Sequence, residues 1–171
     1  LMFSAAGLGL PRAFAEIVIT EAEAQAAAIY HMAQFTDWPV TEVGSDALFV
    51  IGVASPSAVS QALTQMVLGK EIHGLPVVVV ALDDGPVPAR LKVFYTESLK
   101  SWERYKRGLQ GRPILCLSNR KGFLKKGGDI RVFREKERLE LEIHLEHLER
   151  RGLSVASPLL GLANRVYKGK D

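Results

Sequence analysis

Short, continuous apolar runs constrain the fold of this chain more than any other feature. "LPVVVVALDDGP" at 75–86 and "PILCLSN" at 113–119 have no polar alternation, which is typical of strands that are covered on both faces. "ALFVIGVAS" at 47–55 and "RLKVFYTES" at 90–98 have the composition of two further strands. The middle of the chain therefore predicts at least four strands of one buried sheet.

Helical patterns separate these apolar runs. Residues 56–70 predict a helix closed by Gly69, and 99–111 predict a helix with a basic outer face. Strands that alternate with helices are typical of a largely parallel sheet with crossover helices. With 171 residues, of which 47% are hydrophobic, the chain is long enough for one such core. We predict a single α/β domain.

The segment at 20–38, "TEAEAQAAAIYHMAQFTDW", predicts an opening helix. Thr20 is a suitable N-cap, and Glu23 stands three residues later, as in a capping box. Pro39 disfavours helical geometry at the residue before it, so we expect the helix to end at Trp38. We expect Phe35 and Trp38 to pack against the sheet.

The C-terminal third has a different pattern. Apolar and charged residues alternate on both sides of a charged turn near 134–137, which predicts an antiparallel hairpin after the parallel sheet. The second strand should give way to helix near His144, although a charged coiled coil over 134–151 competes with this interpretation. A last helix is expected over 157–168, with Ser157 as its cap and a proline at its first position.

The N-terminal residues resemble an export signal. Residues 1–15 form a short apolar segment that ends in "AFA", a pattern that signal peptidases accept. The segment is shorter than the roughly 20 apolar residues that a membrane helix needs. We therefore expect 1–15 to be a signal-peptide remnant, cleavage near Ala15-Glu16, a mature domain at 16–171 and a periplasmic location. A buried N-terminal helix is the alternative.

Charge is distributed unevenly along the chain. Residues 1–89 contain two basic and nine acidic residues, whereas 90–136 contain fourteen basic and four acidic residues. Such a basic stretch attracts anionic partners, although it also complements the acidic first half of the same fold. Aromatic residues are sparse within it, so we do not expect nucleic acid to be the ligand.

No set of residues with catalytic spacing emerges from the sequence. The chain has no HExxH, no G-x-S-x-G and no glycine-rich phosphate loop, and "KKGGD" at 125–129 is better explained as a tight turn before a strand. His144 and His147 are three residues apart, but they would not share a face if His144 ends a strand. Cys116, the only cysteine, lies in an apolar run and should be a buried small residue. We therefore expect no enzyme activity, no metal and no cofactor.

Five motifs along the chain carry a resemblance to known proteins. They are "AAAIYHMAQFTDWP" at 26–39, "FVIGV" at 49–53, "LGKEIHGLPVVV" at 68–79, "PILCLSNRKGFLKKGGDIRVF" at 113–133 and "LELEIHLEHLERRGLSVASPLLGLA" at 139–163. In order and spacing they resemble the motifs of the YfiR/HmsC-like family of periplasmic proteins, and the resemblance extends from residue 21 to about residue 166.

This resemblance implies a function without catalysis. Members of the family have an α/β sandwich with a mostly parallel sheet and often dimerise. The best-understood member binds the periplasmic domain of a membrane diguanylate cyclase and restrains it, so that its release raises cyclic-di-GMP and promotes biofilm. The resemblance thus implies such a cyclase as partner, a homodimer as a further assembly, and no stable membrane insertion. The alternative is a periplasmic domain that senses a small molecule in a crevice at the carboxyl ends of the strands.

The resemblance also selects individual residues, which we expect to be mainly structural. The positions that match the family pattern are Phe35, Trp38, Pro39, Gly69, Lys70, Gly122, Phe123, Gly127, Gly128, Glu142 and Ser157. The candidates for ligand or partner binding are Tyr30, Trp38, Lys70 and His144. The chain departs from the family at three points: it lacks the cysteine expected within 90–98, has His144 in place of an asparagine, and lacks the usual aspartate near Asn119. A disulfide switch is therefore not expected.

Overall fold

The computed structural model describes residues 18–39 and 47–169, and the structural statements below concern those residues. The predicted signal-peptide remnant and its cleavage site lie outside the described residues. The described part contains five α-helices: α1 (Glu21–Gln34), α2 (Ala58–Met66), α3 (Leu99–Leu109), α4 (Leu145–Arg150) and α5 (Ser157–Leu162). Its strands are β1 (Thr36–Asp37), β2 (Phe49–Ala54), β3 (Glu71–Ile72), β4 (Leu75–Ala81), β5 (Leu91–Thr96), β6 (Leu115–Ser118), β7 (Ile130–Glu135), β8 (Arg138–His144), β9 (Ser154–Val155) and β10 (Arg165–Tyr167).

Eight of these strands form one sheet. Their order is β10-β8-β7-β6-β5-β2-β4-β3, and β1 pairs separately with β9. The neighbours β4-β2-β5-β6-β7 are all parallel, as the strand–helix alternation predicted. The predicted hairpin of β7 and β8 is antiparallel and joins the same sheet. The α/β prediction is confirmed, and the coiled-coil alternative is wrong.

The helices cover both faces of the sheet. On one face, a cluster that includes Ile29 of α1 and Leu63 of α2 packs against Val93 and Tyr95 of β5. On the opposite face, Phe94 packs with Trp102 and other residues of α3. Because successive side chains of a strand point to opposite faces, β5 contributes to both clusters. This double coverage is why Val93, Phe94 and Tyr95 form an uninterrupted apolar run within β5.

The first helix begins as predicted but ends earlier. Thr20 and Glu23 form a capping box, in which the Glu23 amide donates to Thr20 Oγ1 and the Thr20 amide donates to Glu23 Oε2. The prediction that the helix ends at Trp38 is wrong, because its last residue is Gln34. Thr36 Oγ1 donates to the Met32 carbonyl at 2.7 Å, and Thr36 then pairs with Val155 of β9. This long-range pairing, not the proline, ends the helix.

Two further predictions need correction. Strand β4 was predicted to be covered on both faces, but it is only partly buried. It is the second strand from the edge of the sheet, and only the two-residue β3 lies beyond it. The last helix ends at Leu162 instead of residue 168, and Ala156, not Ser157, is its N-cap. Residues 165–167 form β10 instead, which pairs in parallel with β8 from Arg165↔Glu142 to Tyr167↔His144. Pairing with an exposed sheet edge therefore overrides local helix propensity there.

Candidate functional site

Tyr30 and Lys70, two of the residues selected from the sequence, are in contact: Tyr30 is a buried core residue, 8% exposed, and Lys70 is exposed. Lys70 Nζ is 5.1 Å from the centroid of the Tyr30 ring, a cation–π contact. The Tyr30 hydroxyl donates to the Glu71 carbonyl at 3.3 Å and accepts from Gln34 Nε2 at 3.1 Å. Gly69, with a φ of +69°, makes the left-handed turn that brings Lys70 back towards α1. We call this group, with the exposed Leu68 beside it, the Tyr30–Lys70 patch.

Trp38 packs inwards, as predicted. Its ring meets Phe49 of β2 edge-on, with centroids 5.2 Å apart, and lies 5.9 Å from the His73 ring. His73 Nε2 is 2.9 Å from the Thr36 carbonyl oxygen, which ties the β3–β4 turn to β1. The Trp38 indole nitrogen is buried and has no hydrogen-bond partner among the described residues. Trp38 thus anchors the chain after α1 to the sheet.

Phe35 does not pack against the sheet, which corrects the prediction. Phe35 is 36% exposed. The helix α1 ends at Gln34, and Phe35 lies at its C-cap, where the chain changes direction. Its main chain is held, since the Phe35 carbonyl accepts from the Ala156 amide at 2.8 Å. The exposed Phe35 ring therefore adds apolar surface at the C-terminal end of α1, the helix that also carries Tyr30.

His144 belongs to a different part of the molecule. It is the last residue of β8 and is 2% exposed. Its ring stacks on that of His147, with centroids 3.5 Å apart and planes 4° from parallel, and it also stacks on Tyr167 at 6.0 Å. The prediction that the two histidines do not share a face is wrong, because α4 begins directly after β8 and turns His147 back over His144. The structure therefore does not group His144 with Tyr30 and Lys70.

A buried ion pair that the sequence analysis did not identify joins several elements. Asp129 is fully buried; its Oδ1 accepts from Arg151 Nε at 3.0 Å and its Oδ2 accepts from the Cys116 amide at 2.7 Å. Arg151 also donates to the Leu109 carbonyl at 2.9 Å. The pair thus fixes β6, the start of β7, α4 and the end of α3 to one another. No local signal could have identified it, because Asp129 and Arg151 are 22 residues apart in unrelated segments.

The ionisation of this cluster is consistent with a structural role. Burial raises the pKa of Asp129, while the guanidinium of Arg151 acts in the opposite direction. Burial also raises the pKa of the Cys116 thiol well above its usual range, and the neighbouring Asp129 adds to this shift. A thiol that stays protonated is a poor nucleophile. Cys116 is therefore a buried small residue, as predicted.

A second polar network lies at the carboxyl ends of β5 and β6. The Tyr95 hydroxyl donates to Gln25 Oε1 at 3.0 Å, and Glu97 Oε1 accepts from Asn119 Nδ2 at 3.3 Å. Burial raises the pKa of Tyr95, so its hydroxyl stays a neutral donor. Nearby, Arg131 and Glu142, one of the family-pattern residues, form an ion pair at 3.0 Å on β7 and β8. These polar groups mostly bind one another.

The glycines of the family pattern near β7 have clear steric reasons. A Cβ on Gly128 would lie 2.2 Å from the Phe123 ring, and Phe123 in turn meets Trp102 edge-on at 4.9 Å. Gly127 has a φ of +93° and ends a short 3-10 helix at Leu124–Lys126. Gly122, with a φ of +86°, begins this turn. The "KKGGD" segment is thus a tight turn before a strand, as predicted.

The remaining residues of the family pattern lie at the surface. Pro39 and Ser157 are both exposed, at the end of the β1 segment and at the start of α5. Among the described residues, no group of three or more histidine, cysteine or acidic side chains is arranged to hold a metal ion. None of the helices in 18–39 and 47–169 is long and apolar enough to span a membrane.

Comparison with known proteins identifies the family. A search of curated proteins found no match. A model of the family described as YfiR/HmsC-like matches residues 22–164, which include all five sequence motifs and every helix and strand from α2 to α5. A match over this much of the chain assigns the family. The chain belongs to the YfiR/HmsC-like family.

Proposed function

We propose that this protein is an exported, non-enzymatic regulator that binds the periplasmic domain of a membrane diguanylate cyclase and restrains it. The observation that carries the proposal is membership of the YfiR/HmsC-like family, whose members are periplasmic regulators of such cyclases, over residues 22–164. Release of the restraint would raise cyclic-di-GMP and promote biofilm. Export would use the segment 1–15, with cleavage near Ala15-Glu16.

The chemistry of the described residues supports regulation by contact. Asp129, Cys116 and Tyr95, whose pKa values are raised by burial, lie inside the protein and hold the fold together. Perturbed groups in an active site would instead face a cleft and one another. The single cysteine of this sequence is one of these buried groups, so the proposed regulation does not include a disulfide switch.

The Tyr30–Lys70 patch is the surface that we propose for the partner. Leu68 is 68% exposed and stands two residues before Lys70, and Phe35 adds a second apolar group at the end of α1. Interfaces gain most of their affinity from a few apolar or aromatic anchors, with charged residues at the rim. Leu68 and Phe35 would supply the apolar contact, and Lys70, steadied over Tyr30, would supply a rim charge.

The experiment is a deletion of the gene followed by measurement of cellular cyclic-di-GMP. The level should rise in the deletion strain and return to the wild-type value when the gene is restored. Restoring a variant without residues 1–15 should leave the level high, because the protein would not reach the periplasm. An unchanged level in the deletion strain, across several growth conditions, would refute the proposal.

A further inference from the structure

A basic cleft lies on the side of the molecule where α3, the turn at 124–128 and α4 meet. It has a volume of about 500 Å³. Of the nine described residues that line it, five are basic and none is acidic. The basic residues are Lys106, Lys126, His147, Arg150 and Arg151. The four lysine and arginine charges are partly neutralised, because Arg151 pairs with Asp129, Arg150 Nη2 lies 2.6 Å from Glu146 Oε1, and Glu103 accepts from both lysines. Lysine and arginine side chains still outnumber these carboxylates, and neither the family match nor the proposed partner surface accounts for that excess.

The lysines of the cleft are only loosely neutralised. Glu103, outside the lining, accepts from both, at 2.7 Å from Lys106 Nζ and 3.2 Å from Lys126 Nζ. Hydrogen bonds from Lys106 and then Lys126 lower the pKa of Glu103, so one carboxylate serves two ammonium groups. All three side chains are more than 40% exposed, and exposed pairs of this kind contribute little to stability. Both lysines can therefore turn towards a ligand at small cost.

Three other residues of the cleft are held by hydrogen bonds. Arg151 is 10% exposed and is held by Asp129 and the Leu109 carbonyl. His147 Nδ1 lies 2.7 Å from the Gly128 carbonyl oxygen and donates the proton of that bond, which holds the ring against the turn. The Trp102 indole nitrogen donates to the Lys126 carbonyl at 3.0 Å, which fixes the main chain that carries Lys126. A rigid frame of this kind reduces the entropy that binding would cost.

The turn itself does not supply anion-binding amides. The Gly127 amide donates to the Leu124 carbonyl and the Gly128 amide donates to the Phe123 carbonyl. The side chains must therefore provide the recognition, and Lys and Arg recognise anionic oxygens.

We infer that the cleft binds a small anion with at least two negative charges, a phosphorylated or polycarboxylate molecule. The volume is in the range of small-molecule pockets, roughly 300–1,000 Å³, and a concave basic site of this size fits such a ligand better than a broad protein surface. One negative group would meet Lys106 and Lys126, and a second would meet Arg150, whose exposed ion pair with Glu146 can open at small cost. The inference is independent of the proposed cyclase partner, and the site differs from the Tyr30–Lys70 patch.

The test is calorimetric titration of the full chain with pyrophosphate, citrate and acetate at low ionic strength. Pyrophosphate or citrate should bind with 1:1 stoichiometry, and acetate should not. Raising the ionic strength from about 0.02 M to about 0.2 M should weaken binding, because salt screens charges at the rim. Binding of pyrophosphate alone would assign the cleft to phosphorylated ligands, and binding of citrate alone would assign it to polycarboxylates. Failure of both probes to bind would overturn the inference.

A matched pair of double variants locates the binding site. Lys106→Gln with Lys126→Gln removes two charges from the cleft, whereas Lys100→Gln with Lys125→Gln removes two exposed charges from the same two helical segments outside it. The cleft variant should lose at least about tenfold in affinity, since two charge-assisted hydrogen bonds are removed, and the control about twofold or less. Equal losses in both variants would overturn the inference in favour of diffuse attraction to the basic surface. If the cleft variant lost affinity only for the cyclase domain, the cleft would be a protein contact and the inference would be wrong.

Discussion

The Asp129–Arg151 pair and the Tyr30–Lys70 pair each hold one cation against one partner, but in opposite environments. Asp129 is fully buried and Arg151 is 10% exposed, and together they connect β6, β7, α3 and α4. Lys70 is exposed, and its ammonium lies over an aromatic ring whose hydroxyl bonds only neighbouring groups. Burial makes the first pair indispensable to the fold. In the second pair the Tyr30 ring belongs to the core, but the exposed Lys70 side chain can adapt to a partner. We therefore expect substitutions at Asp129 or Arg151 to affect stability and substitutions at Lys70 to affect binding.

The largest effect should follow the loss of Arg151. Arg151→Ala leaves the Asp129 carboxylate buried without its cation, which typically costs about 3–5 kcal/mol. Urea unfolding followed by circular dichroism measures the change in the free energy of unfolding. Arg150→Ala, at the exposed neighbour, is the control and should change it by about 0.5 kcal/mol or less. A loss below about 1 kcal/mol for Arg151→Ala would remove the contrast between the two pairs.

Gly128→Ala should cause a smaller loss of stability than Arg151→Ala. Gly128 precedes Asp129 of the same buried pair. A Cβ there would lie 2.2 Å from the Phe123 ring, and overpacking of this kind costs about 1–3 kcal/mol. The control is Gly161→Ala in α5, where a Cβ meets open space and alanine should stabilise the helix by about 0.5–1 kcal/mol. Thermal unfolding of both variants gives the comparison. Equal thermal-unfolding midpoints for the Gly128 and Gly161 variants would show that the Phe123 ring moves aside freely.

The smallest effect on stability should come from Lys70. Lys70→Ala removes an exposed cation–π contact, which is worth about 0.5–1 kcal/mol. The same unfolding assay should therefore show a small loss at most, while regulation of cyclic-di-GMP in cells should weaken. Lys92→Ala, a lysine on β5 remote from the patch in sequence, serves as the control for loss of charge alone. A stability loss comparable to that of Arg151→Ala would mean that Lys70 is part of the fold and not of a binding surface.

The same contrast explains how much could be predicted from the sequence. Local signals were sufficient where one segment determines its own structure: Thr20 and Glu23 cap α1, and the apolar run at 113–119 becomes the fully buried β6. The resemblance selected Tyr30 and Lys70 separately, but the contact between these two distant positions was not predicted. Structure that depends on distant partners was not accessible: β10 forms because β8 offers an edge, and α1 ends early because β1 pairs with β9. Asp129 and Arg151 likewise meet only in the folded chain.

The most direct test of the account is the affinity of the purified protein for the periplasmic domains of its host's membrane diguanylate cyclases. Leu68→Asp and Leu162→Asp form a matched pair, because the two leucines are 68% and 67% exposed and lie in the Tyr30–Lys70 patch and on α5, respectively. The account predicts that the wild-type protein binds one such domain, that Leu68→Asp weakens this binding at least about tenfold, and that Leu162→Asp changes it by about twofold or less. Equal affinities for the two variants, or no binding by the wild-type protein, would contradict it.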